Sequence, residues 1–337
     1  MPTILIVGGY GAVGRQIAAM LAASSENQLI VAGRSLAKAQ ASGFAGRFID
    51  LGAPGTWPAA LQGVDLVVAA IDQTDTAFVA EVTRRGIAYI DVTAGDAFFQ
   101  RVEALGANSP IVLSLGLAPG LTNLLAASAA DELDEVESIE IGILMGAGDE
   151  HGAAAIAWST HNMFDPEAPR DERRVEFGPD FGLRTAYFMD FADQHVLART
   201  MPGVRTVTRV TYDSALLTSV LFWVGRRFAG NRTVEKLVER LSRMSTVGSD
   251  KCVLSVTARG MRAGRRVAQD AFFFGQREAA VTAAVAALVA QDVLAGLVGP
   301  GVHHSHQVVD RRKIFAALEK LGHGRVHIPQ LRTEIAV

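Results

Sequence analysis

The run Gly9-Tyr10-Gly11-Ala12-Val13-Gly14 has the G-x-G-x-x-G spacing of a turn that holds a pyrophosphate. Its first glycine permits a sharp turn out of a strand, the second lets backbone approach the phosphates, and the third lets the following helix pack on the sheet. Backbone N–H groups and the positive end of that helix then supply the attraction. Residues 3–7 read as a buried β-branched strand and residues 13–23 as a helix, which is the context the spacing requires. These six residues are therefore expected to bind a dinucleotide. The cofactor type is set at the end of the second strand, residues 28–32, where a side chain meets the adenosine ribose. NAD sites usually place an acid there, whereas this chain has Gly33-Arg34-Ser35. An arginine fork and a hydroxyl suit a 2′-phosphate, so NADP(H) is expected on Arg34 and Ser35, the competing reading being that Arg34 caps a loop. Ala69 and Ala70 close the fourth strand with small side chains that leave room for a nicotinamide ribose.

Other residue types on this chain can do chemistry. Asp91 and Thr93 end the fifth strand, at the carboxyl edge where open α/β sheets bind ligands. Asp91 could orient a substrate ammonium or a water, or could cap the next helix or bond backbone. Thr93 is placed with the cofactor contacts, as are Gly116 and Asn123 on either side of the Pro119-Gly120 turn; helix capping is the alternative for Asn123. His151, His161 and His195 titrate near neutrality and are candidate acids or bases, although isolated histidines are more often structural. His303, His304 and His306 match no structural zinc spacing and have no carboxylate cluster beside them, so a polar turn and no metal site are expected. Cys252 is the sole cysteine, which leaves no intrachain disulfide and suits a reducing compartment; its strand-like setting reads as a buried small hydrophobe.

The elements that must position these residues follow an alternating pattern. Strands are expected at residues 3–7, 28–32, 47–51, 64–71, 88–92 and 110–115, with helices at 13–23, 36–40 and 77–85, which implies a parallel sheet with right-handed crossovers. From about residue 124 the texture changes to half-exposed strands at 138–145, 206–212, 252–259 and 267–274, expected as an antiparallel sheet, with helices at 153–163 and 234–244. The polar stretch 165–174 reads as a loop or lid, and a long helix covers 277–294. The fold class is thus α/β: a Rossmann doubly wound parallel sheet over residues 1–123, a second α+β substrate and dimerisation domain over 124–275, and a C-terminal helix and tail, 276–337, returning to the first domain. With 337 residues, 49% hydrophobic and 20% charged, the chain can bury two cores. Its net charge of −3 and scattered arginines give no footprint for nucleic acid. The uncharged run 109–130 is split by Pro119-Gly120 and contains Asn123, so no integral membrane segment is expected, and with no leader pattern at the start the cytoplasm is the expected location.

In order along the chain, the segments Ile6-Val7-Gly8-Gly9-Tyr10-Gly11-Ala12-Val13-Gly14, Arg85-Gly86-Ile87-Ala88-Tyr89-Ile90-Asp91-Val92-Thr93 and Leu117-Ala118-Pro119-Gly120-Leu121-Thr122-Asn123 resemble the saccharopine dehydrogenase-like family of NAD(P)-dependent oxidoreductases. Phe181-Gly182-Leu183-Arg184-Thr185-Ala186-Tyr187 and Met201-Pro202-Gly203-Val204 resemble parts of that family's second domain, and residues 299–318 its tail. The resemblance implies hydride transfer at a carbon bearing nitrogen, a small-molecule substrate and a homodimer through the second domain's sheet. It marks Arg184 as a partner for a substrate carboxylate and Tyr187 as a further catalytic candidate beside Asp91; a surface arginine and a core tyrosine are the alternatives. The chain departs from the family where Gly301-Val302-His303-His304-Ser305-His306 stands in place of a Pro-Glu pair, which puts the substrate in question. Two other functions stay open: reduction of a carbonyl or activated alkene on an apolar substrate, and NADP(H) sensing without turnover.

Overall fold

The structure is a computed structural model describing residues 1–24, 27–149, 152–244 and 248–333. In chain order it runs β1 (Thr3–Val7), α1 (Ala12–Ser24), β2 (Gln28–Gly33), α2 (Leu36–Gln40), β3 (Ala45–Phe48), α3 (Trp57–Ala60), β4 (Leu66–Ala69), α4 (Ala77–Arg84), β5 (Ala88–Asp91), α5 (Asp96–Glu103), β6 (Pro110–Leu113) and α6 (Leu121–Ala130). There follow β7 (Glu135–Met145), α7 (Ala153–Met163), β8 (Glu172–Glu176), β9 (Leu183–Phe188), α8 (Ala192–Thr200), β10 (Arg205–Tyr212), α9 (Ala215–Arg227), α10 (Arg232–Met244), β11 (Lys251–Arg262) and β12 (Arg265–Gln276). The chain closes with α11 (Glu278–Leu294), β13 (Gly301–His304), α12 (Ser305–Val308), α13 (Arg311–Lys320), β14 (Gly324–His327) and β15 (Arg332–Thr333).

The first compact unit comprises Met1–Leu121 and Ala279–Ile314. Its seven strands lie in the order β13-β6-β5-β4-β1-β2-β3 and every neighbouring pair is parallel. β1 and β4 are buried at every residue and, after Thr3, aliphatic throughout, as central strands covered on both faces must be. Each such Ile, Leu or Val contributes roughly 1.5–3 kcal/mol on burial. α4 shows how the covering helices read: Phe78, Val79 and Val82 turn to the core, while Glu81 on the other side pairs with Arg84 and Arg85. α11 is alanine-rich and buried on all sides, where small side chains let it sit close to its neighbours. Sequential strands lie next to one another except where the order reverses at β1, whose neighbours are β2 and β4.

The second unit comprises Thr122–Glu278 and Phe315–Val337, around an eight-stranded sheet ordered β14-β12-β11-β7-β10-β9-β8, with β15 also on β12. Twelve residue pairs join β11 to β12. Ala263 and Gly264, both at positive φ (49° and 72°), close this hairpin, the two-residue turn whose twist suits paired strands. Three expectations are corrected here. The sheet is mixed rather than antiparallel, because β7 and β10 pair in parallel and the elements from α7 to α8 supply the long crossover such a pair needs. The end of the polar stretch 165–174 is not loop but the start of β8, an edge strand whose charged Glu172, Arg173 and Arg174 hide its pattern and guard its open side. The tail does not stay with the first unit: β14 and β15 pair with β12 and so close that edge of the second sheet. Among the described residues, no helix is long and apolar enough to cross a membrane.

Candidate functional site

In the first unit all seven strands point the same way, so one edge collects their carboxyl ends: the turn after β1, Gly33-Arg34 after β2, Ala69-Ala70 after β4, Asp91 to Thr93 after β5, Ser114 to Gly116 after β6 and His304 at the end of β13. The order reverses between β1 and its neighbours, and a crevice opens at such a switch point. The sequence-expected residues of the first unit converge there.

The glycine turn is built somewhat differently from its spacing. Gly8, not Gly9, takes the left-handed backbone, with φ at 78°, and a Cβ on it would stand 2.3 Å from Ile71 Cγ2. Gly9 is excluded from carrying a side chain by Ile6 O at 2.9 Å and Val31 Cγ1 at 3.0 Å. Gly14 is the tightest, since its Cβ would lie 2.3 Å from Gly8 O and 2.7 Å from Gly9 Cα, and this is where α1 presses on the turn. The Gly9 and Gly11 amides donate within the turn, to Ile6 O and Gly8 O. Those of Ala12, Val13 and Gly14, in the first turn of α1, have no backbone acceptor among the described residues. These three are the amides available to a phosphate. Ala70 packs against the turn, its carbonyl oxygen 2.7 Å from where a Gly8 Cβ would be.

Tyr10 connects the turn to the end of β2. Its hydroxyl accepts the Ser35 N–H at 3.4 Å, and it lies so close that a Cβ on Gly33 would be 2.5 Å from it. Arg34 is exposed, while the Ser35 hydroxyl accepts the Lys38 N–H and caps α2. The capping role noted for this loop therefore falls to Ser35 rather than Arg34.

Asp91 has a different setting from the one expected. It is 0% exposed; its Oδ2 accepts the Tyr89 hydroxyl at 2.5 Å and the Gln73 amide at 2.7 Å, and its Oδ1 accepts the Thr93 N–H at 2.6 Å. Burial pushes its carboxyl up to about 6 against these donors. Burial likewise holds the Tyr89 hydroxyl well above its ordinary value, with the Asp91 charge adding to the effect. Thr93 is tied down as well, its hydroxyl donating to Ile71 O at 3.2 Å. In this arrangement Asp91 fixes the end of β5 and exposes no atom to a ligand. Gly116 is buried in the following loop, where its N–H donates to Pro119 O at 2.8 Å and its carbonyl accepts from Leu121. The Ala118–Pro119 bond in this loop is cis.

A second buried network was not expected from sequence. Ser114 Oγ lies 2.8 Å from His304 Nδ1, and His304 Nε2 lies 2.9 Å from Glu103 Oε1. Ser114 is fully buried at φ 59°, a conformation costing on the order of 1–3 kcal/mol in a residue with a Cβ. The Ser305 hydroxyl, donating to Ser114 O at 2.6 Å, helps hold it there. His304, 4% exposed, sits in a strand rather than in the polar turn expected for the histidine group. Among the described residues no cluster of His, Cys, Asp and Glu could hold a metal ion.

The remaining candidates lie in the second unit. Asn123 is wholly buried and donates to Asp193 O at 3.3 Å. Arg184 and Tyr187 sit three residues apart on β9 and so point to opposite faces of the sheet. Arg184 Nε donates to Phe181 O at 2.9 Å, whereas the Tyr187 ring stacks on Phe222 of α9 at 4.3 Å. One ligand cannot use both side chains of this strand as they stand. His161 pairs with Glu235 at 3.1 Å and His195 with Asp190 at 2.5 Å, both on the surface. His151 lies outside the described residues. Cys252 is buried, and burial pushes its thiol up, away from reactivity.

No family model and no curated protein matches the chain. Solved structures do. The apo histidine-tagged saccharopine dehydrogenase (L-Glu forming) from Saccharomyces cerevisiae matches with a TM-score of 0.71 at 14% identity, over 98% of this chain and 100% of that one. The DAP dehydrogenase of C. glutamicum in complex with DAP matches with a TM-score of 0.48 at 14% identity, over 91% of this chain and 94% of that one. An engineered D-amino acid dehydrogenase bound to NADP+ gives 0.47 at 14% identity, over 91% and 94%. At these identities the first match speaks for architecture, and it spans both chains almost completely. The chain has the saccharopine dehydrogenase fold, a Rossmann domain joined to a second domain built on a mixed sheet.

Proposed function

We propose that the chain is an NADP(H)-dependent oxidoreductase that transfers hydride at an imine or amine carbon of a small amino-acid- or opine-like substrate. The observation that carries this is the cradle at the switch point, where Gly8, Gly9 and Gly14 stand too close to their neighbours for any Cβ and the first three amides of α1 lack backbone acceptors among the described residues. The residues fit a dinucleotide. Ala12, Val13 and Gly14 would donate to its pyrophosphate, Tyr10 and Gly33 would floor the adenosine end, and exposed Arg34 would meet a 2′-phosphate. When bound, the nicotinamide group supplies or accepts the hydride. The chain's part is to hold the reacting carbon in line and keep the carboxyl edge of the sheet rigid, which the buried Asp91 and Ser114 networks do at the ends of β5 and β6. The fold likeness to saccharopine dehydrogenase supports the reaction class, and a homodimer acting in the cytoplasm belongs to the same proposal.

Thermal shift with NADPH and NADH tests the cofactor. A ligand at about 100 times its Kd stabilises the native state by about 2.7 kcal/mol, so the preferred cofactor gives the larger rise in Tm. NADPH is expected to give it in the native chain, and Arg34→Glu is expected to reverse the order. A larger shift with NADH in the native chain would mean that Arg34 does not read a 2′-phosphate. NADPH oxidation across amines paired with ketoacids tests the reaction itself.

A further inference from the structure

The second unit carries a groove of about 850 Å³ between α9 and the β8–β9 edge of its sheet, lined by residues that include Arg170, Glu172, Tyr187, Val220, Trp223 and Arg227. α9 is apolar on both sides. Phe222 and Gly225 turn to the protein, while Leu216, Val220 and Trp223 recur at i, i+4 and i+7 and are 76%, 48% and 63% exposed. The charged wall is uneven. Arg226 is neutralised by Glu172 at 2.8 Å and lies 4.9 Å from the centre of the Tyr187 ring, but Arg170 and Arg227 pair with no carboxylate among the described residues. Tyr187 is 9% exposed and held by its stack on Phe222, yet its hydroxyl has no hydrogen-bond partner among the described residues. Two guanidiniums without a carboxylate partner among the described residues, Arg227 lying 5.3 Å from the centre of the Phe228 ring, one fixed hydroxyl and an apolar strip therefore line one groove.

We infer that this groove binds a small amphipathic organic anion, its carboxylate or phosphate head on Arg170 and Arg227 and its alkyl or aryl body on Val220 and Trp223. The Tyr187 hydroxyl donates to an oxygen of the ligand. A second copy of the chain is a poorer occupant, because residues 215–244 hold six basic and two acidic side chains and would face their like. The inference goes beyond the oxidoreductase reading and uses no residue of the cofactor cradle.

Tryptophan emission reads the site directly, since Trp57 is 6% exposed and Trp158 half-buried, leaving Trp223 as the indole most open to water. The full chain is titrated with decyl phosphate and with decanoate, both as monomers, beside 1-decanol, inorganic phosphate and phosphatidylglycerol vesicles. The two amphipathic anions are expected to shift emission to the blue and saturate. Trp223→Phe should abolish the signal while calorimetry still shows binding. Arg170→Gln with Arg227→Gln should weaken binding at least tenfold with an unchanged circular dichroism spectrum. Equal binding of 1-decanol, indifference to the two arginines, or a response to vesicles alone would each overturn the assignment. None of these readouts involves NADPH, so they stand or fall apart from the cofactor proposal.

Discussion

A carboxyl buried against three donors behaves as a pH sensor for the fold. The Asp91 carboxyl stands near 6 when folded against an ordinary value of 3.8, so between about pH 4 and pH 6 the native state keeps a proton that the unfolded chain has released. Stability from this group is therefore greatest below that window and falls as pH rises through it, by up to about 3 kcal/mol. Asp91→Asn cannot titrate and is expected to flatten the slope; urea midpoints at pH 4, 5, 6 and 7 for both proteins measure it, and identical slopes would show that Asp91 is not the group. Gly14→Ala is expected to remove the NADPH-dependent rise in Tm and to cost about 1–3 kcal/mol, because its Cβ would meet Gly8 O at 2.3 Å and backbone must move. The glycine spacing was legible because its six residues lie together in the chain and its first and last glycines answer local steric demands, although the left-handed turn itself falls on Gly8 beside them. The Ser114–His304–Glu103 network was not. Its members are separated by 190 and 201 residues, and nothing near Ser114 in sequence announces an imidazole. Asp91 was legible as a strand-end carboxylate, but the Gln73 and Tyr89 that occupy it were not, since one lies in a loop and the other points inward from the same strand.

Among elements, β13 is an edge strand of the first sheet whose end is tied down by one side chain. Among the described residues its backbone pairs only with β6, and His304 ties its end to Ser114 and, across to α5, to Glu103. The His304 ring also meets Phe99 edge-on at 5.5 Å. His304→Ala is expected to cost about 2–4 kcal/mol, through a cavity and an unmatched buried hydroxyl. Hydrogen exchange at the amides of 301–304 should quicken more than at β1; equal protection would mean that backbone pairing alone holds β13. This strand escaped the sequence reading because two of its four residues are histidines, which break any apolar pattern. β8 escaped for a related reason, its pattern being charged at the sheet edge. The buried strands of the first unit read to within a few residues, since continuous aliphatic runs between glycines leave few alternatives, while β3, expected at 47–51 and found at Ala45–Phe48, is short and partly exposed.

At the scale of the whole molecule the chain leaves the first unit after Leu121, returns at Ala279 and leaves again after Ile314. A chain ended at His323 would lose β14 and β15 from the edge of β12, and is expected to lower the unfolding transition of the second unit while NADPH still raises that of the first. Calorimetry with and without NADPH separates the two; loss of the NADPH effect in the shortened chain would show that the units do not unfold independently. Sequence composition showed the change of texture near residue 124, but not the division of the tail, because short strands such as Gly324–His327 carry no periodicity of their own. Interleaving also sets a timetable. β6 leaves the ribosome long before β13, its partner in the finished sheet, and at about 5–20 residues per second the intervening chain takes roughly 10–40 s to make. During that interval the nascent first unit presents the aliphatic β6 as its open edge, a more adhesive edge than the histidine-bearing β13 that later takes its place, so its hazard in the cell is greatest during translation.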